Sequence, residues 1–266
     1  MPAIYAHRAF GEDLKAILPR GRFQEIFEHA DCFAVGLHGP DTLFYFHPLK
    51  KNAVSRHGEA LHEARAADFF EGARAIFLQR GGRAADRAYL YGFVCHFALD
   101  SVCHPEVALQ MQRHRLSHTA VEAAFERAMM LRDGRDPLKT DVAAHLHATA
   151  ETVSAVSAYC GVTERQARTA IRSMVRSSRL LRAPDAFRRG LLHACLRIAG
   201  SRSVIDMIVP ERDRPECAEG NAALAACYGR ALQKAEELLE NYRSFLAGEG
   251  RPDERFSSNY ESEERI

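Results

Sequence analysis

The chain lacks tryptophan, closely paired cysteines and any long apolar run. Its seven cysteines are scattered without a Cys-x-x-Cys pair, and their odd number predicts reduced thiols rather than a disulfide framework. No stretch approaches the ~18 apolar residues of a membrane-spanning helix. The opening MPAIYAHRAFGEDLK also lacks the basic and apolar regions of a signal peptide. These absences predict a cytoplasmic protein, or a secreted one if the chain is a mature form.

The sequence is also without a dominant charge. Its net charge is +1 over 266 residues, which gives no general attraction for nucleic acid or for an anionic membrane. One basic segment, RQARTAIRSMVRSSRLLRAPDAFRR, is an exception. Because its arginines recur at helical spacing among apolar residues, the pattern favours a solvated helix face.

Helical periodicity recurs along the chain, while the alternating pattern of β-strands is nearly absent. Glycine- and proline-containing breakers separate the periodic segments, and TERQ at 163–166 has the pattern of a capping box. The spacing predicts helices over residues 6–17, 22–37, 56–79, 84–104, 118–132, 139–160, 164–182, 185–200 and 217–246. The predicted fold is therefore all-α, with a single multi-helix domain over residues 1–247. Residues 248–266 form a polar C-terminal tail that Phe256 and Tyr260 could anchor.

The stretch GFVCHFALDSVCHPEV, residues 92–107, places ionisable side chains within an apolar helix. His96, Asp100 and His104 recur every four residues and so share one stripe of the helix. A carboxylate buried there needs partners, and metal ions satisfy both imidazole and carboxylate. The stripe spans ~12 Å, which is too long for one ion. It therefore predicts at least two ions, with Asp100 placed to bridge them, and Pro105 predicts that the helix ends at His104.

Further candidate ligands flank this stripe. The next helix begins SHTAVEAAFERAM, in which His118 and Glu122 form a second pair four residues apart. An ordinary buried histidine or a surface pair is the alternative interpretation of any one such residue. These five candidate ligands, His96, Asp100, His104, His118 and Glu122, lie within 27 residues and favour a metal cluster instead. We assign the ordinary role to the histidines at positions 38, 47, 114, 145, 147 and 193.

These motifs resemble the bacterial zinc-dependent phospholipase C family, which is related to fungal single-strand nucleases. GFVCHFALDSVCHP followed by HTAVE, with GPDTLFYF upstream, carries the resemblance, which is specific over residues 1–125. The resemblance implies an all-α fold with a trinuclear zinc site. The implied ligands are His7, Asp41, His62, His96, Asp100, His104, His118 and Glu122. His57 is the alternative to His62, and the interval from Asp100 to His104 is shorter than in secreted members.

The resemblance also divides the ligands among zinc ions. It implies one zinc on Asp41, His62, His96 and Asp100, a second on His104, His118 and Glu122, and a third on His7, Asp100 and the amino terminus. Secreted members expose an amino-terminal tryptophan for the third ion. This chain has none, and removal of Met1 would present Pro2 in its place.

The function that the resemblance implies is a zinc-dependent phosphodiesterase of the phospholipase C type. Such an enzyme hydrolyses a phospholipid or another phosphodiester with a metal-activated water and contacts a membrane surface transiently. Two or three Zn²⁺ ions would be its cofactors, and Asp41 is the candidate general base. One alternative is a nuclease or nucleotidase on the same scaffold, which requires a basic, aromatic groove; the near-neutral charge argues against a nucleic-acid partner. Another is a non-catalytic helical interaction domain stabilised by zinc.

Overall fold

A computed structural model describes residues 4–198 and 200–261, apart from the side chains of residues 202 and 203. Over these residues the protein is helical and contains no strand, so the predicted all-α class is confirmed. None of the described helices combines the length and the apolar character needed to span a membrane. The helices are α1 (Ile4–Ile17), α2 (Gln24–Glu28), α3 (Ala30–Gly36), α4 (Ala53–Glu63), α5 (Ala66–Gln79), α6 (Ala84–His114), α7 (His118–Arg132), α8 (Ala150–Tyr159), α9 (Glu164–Arg182), α10 (Ala186–Ile198), α11 (Arg202–Asp206) and α12 (Ala218–Ala247); 3₁₀-helices cover Gly39–Tyr45, Pro215–Cys217 and Glu254–Ser257.

Helix α6 is the centre of the fold, and most of its residues from Ala85 to His104 are buried. Helices α3 and α12 make its most extensive contacts. The α3–α6 crossing is close because each helix presents a glycine there. A Cβ atom at Gly36 would lie 2.2 Å from the Tyr89 carbonyl oxygen, and one at Gly92 would lie 2.4 Å from the Phe33 carbonyl oxygen. Any side chain at either position would therefore push the two backbones apart.

Helix α6 does not end at His104, so this prediction is wrong. The helix continues through Pro105 to His114, although a proline inside a helix removes one backbone hydrogen bond and costs ~3 kcal/mol. Near the proline, Ser101 Oγ donates to the Phe97 carbonyl at 2.6 Å and accepts from Lys234 Nζ of α12 at 2.8 Å. Packing against α12 thus outweighs the local tendency of Pro105 to end the helix at His104.

The other predicted boundaries vary in accuracy. Helices α7 and α9 begin and end where the periodicity predicts, and the Thr163–Gln166 capping box is present. The predicted helix over 22–37 divides at His29, and that over 56–79 divides at residues 64–65. The predicted helix over 139–160 begins only at Ala150, after a series of turns. The periodicity thus predicted which segments are helical, but not the points at which a predicted helix is interrupted.

The segment that follows α12 runs back across the domain. Phe256 and Tyr260 are buried in the core. The segment also makes backbone hydrogen bonds with the first part of the chain, from Ala66 N to the Ser258 carbonyl at 2.9 Å and from Tyr260 N to the His62 carbonyl at 3.3 Å. Residues 254–261 are therefore integrated with the helices that carry the candidate ligands.

Candidate metal centre

All eight predicted ligands lie in one cluster, although they come from five different elements. The ligands are His7 of α1, Asp41 of the 3₁₀-helix, His62 of α4, His96, Asp100 and His104 of α6, and His118 and Glu122 of α7. Each is buried except His118, whose side chain is 29% exposed. The alternative ligand His57 lies outside the cluster, because its Nε2 contacts the Cys160 carbonyl at 2.9 Å.

Asp100 occupies the middle of the cluster. Its Oδ1 lies 3.2 Å from His7 Nε2, and its Oδ2 lies 3.1 Å from His96 Nε2. The Nε2 atoms of His62 and His104 are each 3.9 Å from the same Oδ2. The two carboxylate oxygens therefore face different imidazoles, which is the arrangement that a ligand bridging two cations requires.

The ligand atoms fall into three groups, each close enough to surround one ion. Within them, His62 Nε2 lies 3.1 Å from Asp41 Oδ1, and His118 Nε2 lies 3.0 Å from Glu122 Oε1. These separations match two atoms that bind one zinc at bond lengths of ~2.0–2.2 Å. The groups are His7, His96 and Asp100; Asp41, His62 and His96; and His104, His118 and Glu122.

Backbone carbonyls orient three of the histidines. The Nδ1 atom of His62 lies 3.1 Å from the Gly58 carbonyl, that of His96 3.2 Å from the Leu37 carbonyl, and that of His104 3.0 Å from the Tyr260 carbonyl. A carbonyl only accepts, so each Nδ1 carries the proton and donates. The Nε2 lone pairs are thereby directed into the cluster, which is the tautomer that second-shell contacts impose on metal-binding histidines.

Two buried atoms inside the cluster favour the presence of a cation. Among the described residues, His96 Nε2 and Asp41 Oδ1 have no partner in hydrogen-bonding geometry, although charged groups lie nearby. An unsatisfied buried polar atom costs ~1–3 kcal/mol. A zinc ion bound to both atoms would remove that cost, and imidazole nitrogen with carboxylate oxygen is a donor set that zinc accepts. The residues present therefore fit the metal.

The protonation states suit metal binding as well. Burial opposes ionisation of Asp100, but His96, His104 and His7 outweigh it, so the pKa of this carboxyl lies well below its usual range. Burial likewise lowers the pKa of His96, which keeps its imidazole neutral. Neutral imidazole and ionised carboxylate are the forms that bind metals.

The turn that presents Asp41 depends on a glycine. Gly39 has φ +43°, and a Cβ atom there would lie 2.5 Å from Cδ2 of the His96 ring. Both the left-handed backbone and the close approach exclude other residues. The His-Gly-Pro-Asp sequence thus lets the chain pass against one ligand while it aims the next into the cluster.

Two further polar residues lie beside the cluster. His38, predicted to have an ordinary role, is buried and belongs to none of the three groups; its ring lies edge-on to His7, and its Nε2 is 2.9 Å from that of His145. Glu126 accepts backbone hydrogen bonds from Tyr5 and Ala6 at the start of α1. Glu126 follows Glu122 by four residues, and this spacing indicates that both side chains lie on the same face of α7. The predicted amino-terminal ligand lies outside the described residues.

Comparison with known proteins agrees with this geometry. A family model described as zinc dependent phospholipase C matches residues 6–173, which is more than half of the chain and includes every candidate ligand. No curated protein and no solved structure matches the chain significantly. The chain belongs to the zinc-dependent phospholipase C family.

Proposed function

We propose that the chain is a phosphodiesterase of the phospholipase C type that hydrolyses a phospholipid between its glycerol and its phosphorylated head group. The observation that carries the proposal is the convergence of histidine Nε2 and carboxylate oxygen atoms on one interior, with the partly exposed His118 at its edge. A purely structural zinc site is closed by its ligands, whereas a catalytic site keeps a position open to substrate. The partly exposed edge at His118 supports a catalytic site over a purely structural one.

The position of each residue indicates its role in the proposed reaction. When bound, zinc supplies positive charge that neutralises phosphoryl oxygens and lowers the pKa of a water molecule. Asp41, in the turn, is the candidate to receive the proton of the attacking water. Burial opposes its ionisation, but contact with His62 and the nearby His96 outweighs burial, so the pKa of the Asp41 carboxyl lies below its usual range. Asp41 is therefore ionised at neutral pH, as a base must be.

A cleft lined by Ile4, three residues before His7, and by Glu126, one helical turn after Glu122, supports a lipid as the substrate. Most of its described lining residues are apolar, and the polar ones are Glu126, Thr140, Ser178 and Arg182. Tyr45 is the one aromatic residue among the described residues that line it. A groove for single-stranded nucleic acid stacks successive bases on several aromatic side chains. The apolar residues that line the cleft are Ile4, Tyr45, Pro137, Val142, Leu181, Met207 and Val209.

The direct test is turnover by the zinc-loaded protein. We expect hydrolysis of phospholipid vesicles and of p-nitrophenylphosphorylcholine, with diacylglycerol appearing from the vesicles, and little cleavage of single-stranded DNA. Preferential cleavage of DNA would favour the nuclease alternative. If no phosphodiester were hydrolysed by protein carrying its full zinc content, the zinc-stabilised interaction domain would be the better description.

The role of Asp41 is tested by substitution with asparagine. Asp41→Asn keeps one oxygen for the metal but cannot accept the proton, so we expect most of the zinc to remain while hydrolysis falls by at least ~10²-fold. His118→Ala, by contrast, removes a nitrogen ligand and should lose a metal outright. Zinc content and hydrolysis are measured side by side for both variants. Near-normal hydrolysis by Asp41→Asn would show that Asp41 is a ligand and not the base.

A further inference from the structure

Helix α10 has an unusual distribution of side chains. Its one buried residue is Arg189, whereas Phe187 is 79% exposed, Leu191 is 55% exposed and Ile198 is 89% exposed. A surface helix normally turns its apolar face to the core and its charges to solvent. In α10 the half-buried Leu192 and Leu196 lie on the inward side with Arg189, and large apolar residues also occupy the outward side. That outward apolar face needs an explanation other than core packing.

The exposed apolar residues form one stripe. Phe187, Leu191 and Ile198 are spaced by four and seven residues, and Ala194 lies between the last two. At ~100° per residue all four project within ~60° of one another, opposite Arg189. Arg189 holds the inward face, because its Nη1 donates to the Val209 carbonyl at 2.9 Å and its Nε lies 3.3 Å from Glu211 Oε1. We call Phe187, Leu191, Ala194 and Ile198 the α10 stripe.

Two arginines flank the α10 stripe. On the same ~100° spacing, Arg188 and Arg197 project on its two sides. Arg188 pairs with Asp185 at 3.3 Å, an exposed contact of little strength. From residue 164 to residue 198 the chain carries nine arginines and two acidic residues, in a protein whose net charge is +1. Eight of these arginines belong to the basic segment at residues 165–189, which is predicted above to be a solvated helix face. The charge of this part of the chain is complementary to an anionic partner.

We propose that the α10 stripe docks on the surface of an anionic phospholipid bilayer. A helix that lies in a membrane interface combines aromatic and aliphatic residues on one face with basic residues beside them. The apolar side chains would enter the boundary of the acyl chains, while Arg188 and Arg197 meet anionic head groups. A second copy of α10 is a poorer partner, because it would bring arginines against arginines.

Helix α10 is connected to the partly exposed edge of the candidate metal centre. Helix α10 packs against α11, and Asp206 of α11 accepts a 2.7 Å hydrogen bond from Ser117 Oγ. Ser117 is the N-cap of α7 and directly precedes the ligand His118. Docking through α10 would thus hold a bilayer near the side of the centre that is open to solvent. Bilayer binding itself does not depend on the proposed hydrolysis.

The test is cosedimentation of the zinc-loaded full chain with vesicles of phosphatidylcholine, with and without phosphatidylglycerol. We expect binding that requires phosphatidylglycerol and weakens with salt. Phe187→Ser and Leu191→Ser should each reduce the partition coefficient by about tenfold or more, because each withdraws a large apolar side chain from the interface. Arg197→Gln should reduce it about fivefold. Leu78→Ser on α5, where the leucine is 52% exposed, is the matched control and should bind as the wild type does.

Measurements on a soluble substrate separate this proposal from the proposed function. The α10 variants should hydrolyse p-nitrophenylphosphorylcholine at the wild-type rate and lose activity only on vesicles. A protein that binds vesicles but hydrolyses nothing would overturn the proposed function alone. Equal partitioning of wild type and Phe187→Ser would overturn the docking surface. So would a dimer that Phe187→Ser dissociates, without vesicle binding, since the α10 stripe would then be an interface between copies of the chain.

Discussion

At the scale of single residues, Asp100 is a buried carboxylate surrounded by imidazole rings. Four imidazole Nε2 atoms lie within 4 Å of its two oxygens. The four histidines cannot all be protonated beside one another without strong repulsion. Nor can they all be neutral and share the carboxylate through good hydrogen bonds, because His96 Nε2 has no partner in suitable geometry. Divalent cations held by these nitrogens and by the carboxylate would resolve both problems.

Substitution of Asp100 should therefore affect metal content as well as activity. Asp100→Ala removes the proposed bridge and leaves two cations facing each other in a buried site, so we expect fewer zinc ions per chain and a lower Tm. Asp86→Ala is the matched control on the same helix, where the buried Asp86 pairs with Arg80 at 2.8 Å. That variant should lose stability but keep its zinc. Elemental analysis and thermal unfolding measure the two effects, and an Asp100→Ala protein with full zinc content would show that Asp100 is not a ligand.

Glu126 positions the start of α1, the helix that carries the candidate ligand His7, by accepting hydrogen bonds from its backbone. Burial raises the pKa of its carboxyl to about 8, so an uncharged side chain that still accepts hydrogen bonds is a close substitute. We expect Glu126→Gln to fold with nearly wild-type stability. Glu126→Ala leaves the amides of Tyr5 and Ala6 without their acceptor and should lower the free energy of unfolding by ~1–3 kcal/mol. Denaturant unfolding of both variants measures this difference, and equal destabilisation would mean that the negative charge is what α1 requires.

At the scale of elements, the sequence predicted the parts whose signals are local. Helices α7 and α9 combine clear periodicity with a capping residue, and both boundaries were correct. The spacing of four residues likewise placed His96, Asp100 and His104 on one face. The Nδ1 partner of His104 was not predictable, because it is a backbone carbonyl 156 residues away that any residue type could supply. The continuation of α6 past Pro105 depends on packing against α12, so the sequence near Pro105 did not predict it.

The C-terminal segment should accordingly contribute to metal binding. Tyr260 accepts from His104 through its carbonyl, donates to the His62 carbonyl through its amide, and packs its ring 5.2 Å from that of His62. Deletion of residues 257–266 should weaken zinc binding by about 10–100-fold, as loss of second-shell partners typically does. Zinc competition with a chromogenic chelator measures the change.

Tyr260→Phe is the control for that deletion. It keeps the backbone and the ring and removes a hydroxyl that has no hydrogen-bond partner among the described residues. Its zinc affinity should match that of the wild type. If the deletion also left zinc affinity unchanged, His104 would be oriented by something other than this segment.

At the scale of the whole molecule, the ligands join five elements that are distant in sequence: α1, the 3₁₀-helix at Gly39–Tyr45, α4, α6 and α7. Metal binding is therefore linked to the packing of most of the first half of the chain. Because zinc would bind the folded state and a preformed site is absent from the unfolded chain, each bound ion would add its binding free energy to stability. At a free zinc concentration 1,000 times the Kd this is about 4 kcal/mol for one ion.

Removal of zinc should thus be visible as a large loss of thermal stability. We expect two or three zinc ions per chain, and we expect a chelator to lower the Tm by on the order of 10 °C or more for a chain of this length. Added zinc should restore the Tm, whereas magnesium should not, because magnesium prefers oxygen ligands in octahedral geometry. The Asp100→Ala protein should respond less to the chelator, since it has less metal to lose. A multinuclear centre that stabilises the packing of the helices would be contradicted by either of two results. One is at most one tightly bound ion per chain after reconstitution with zinc, and the other is a Tm that the chelator does not change.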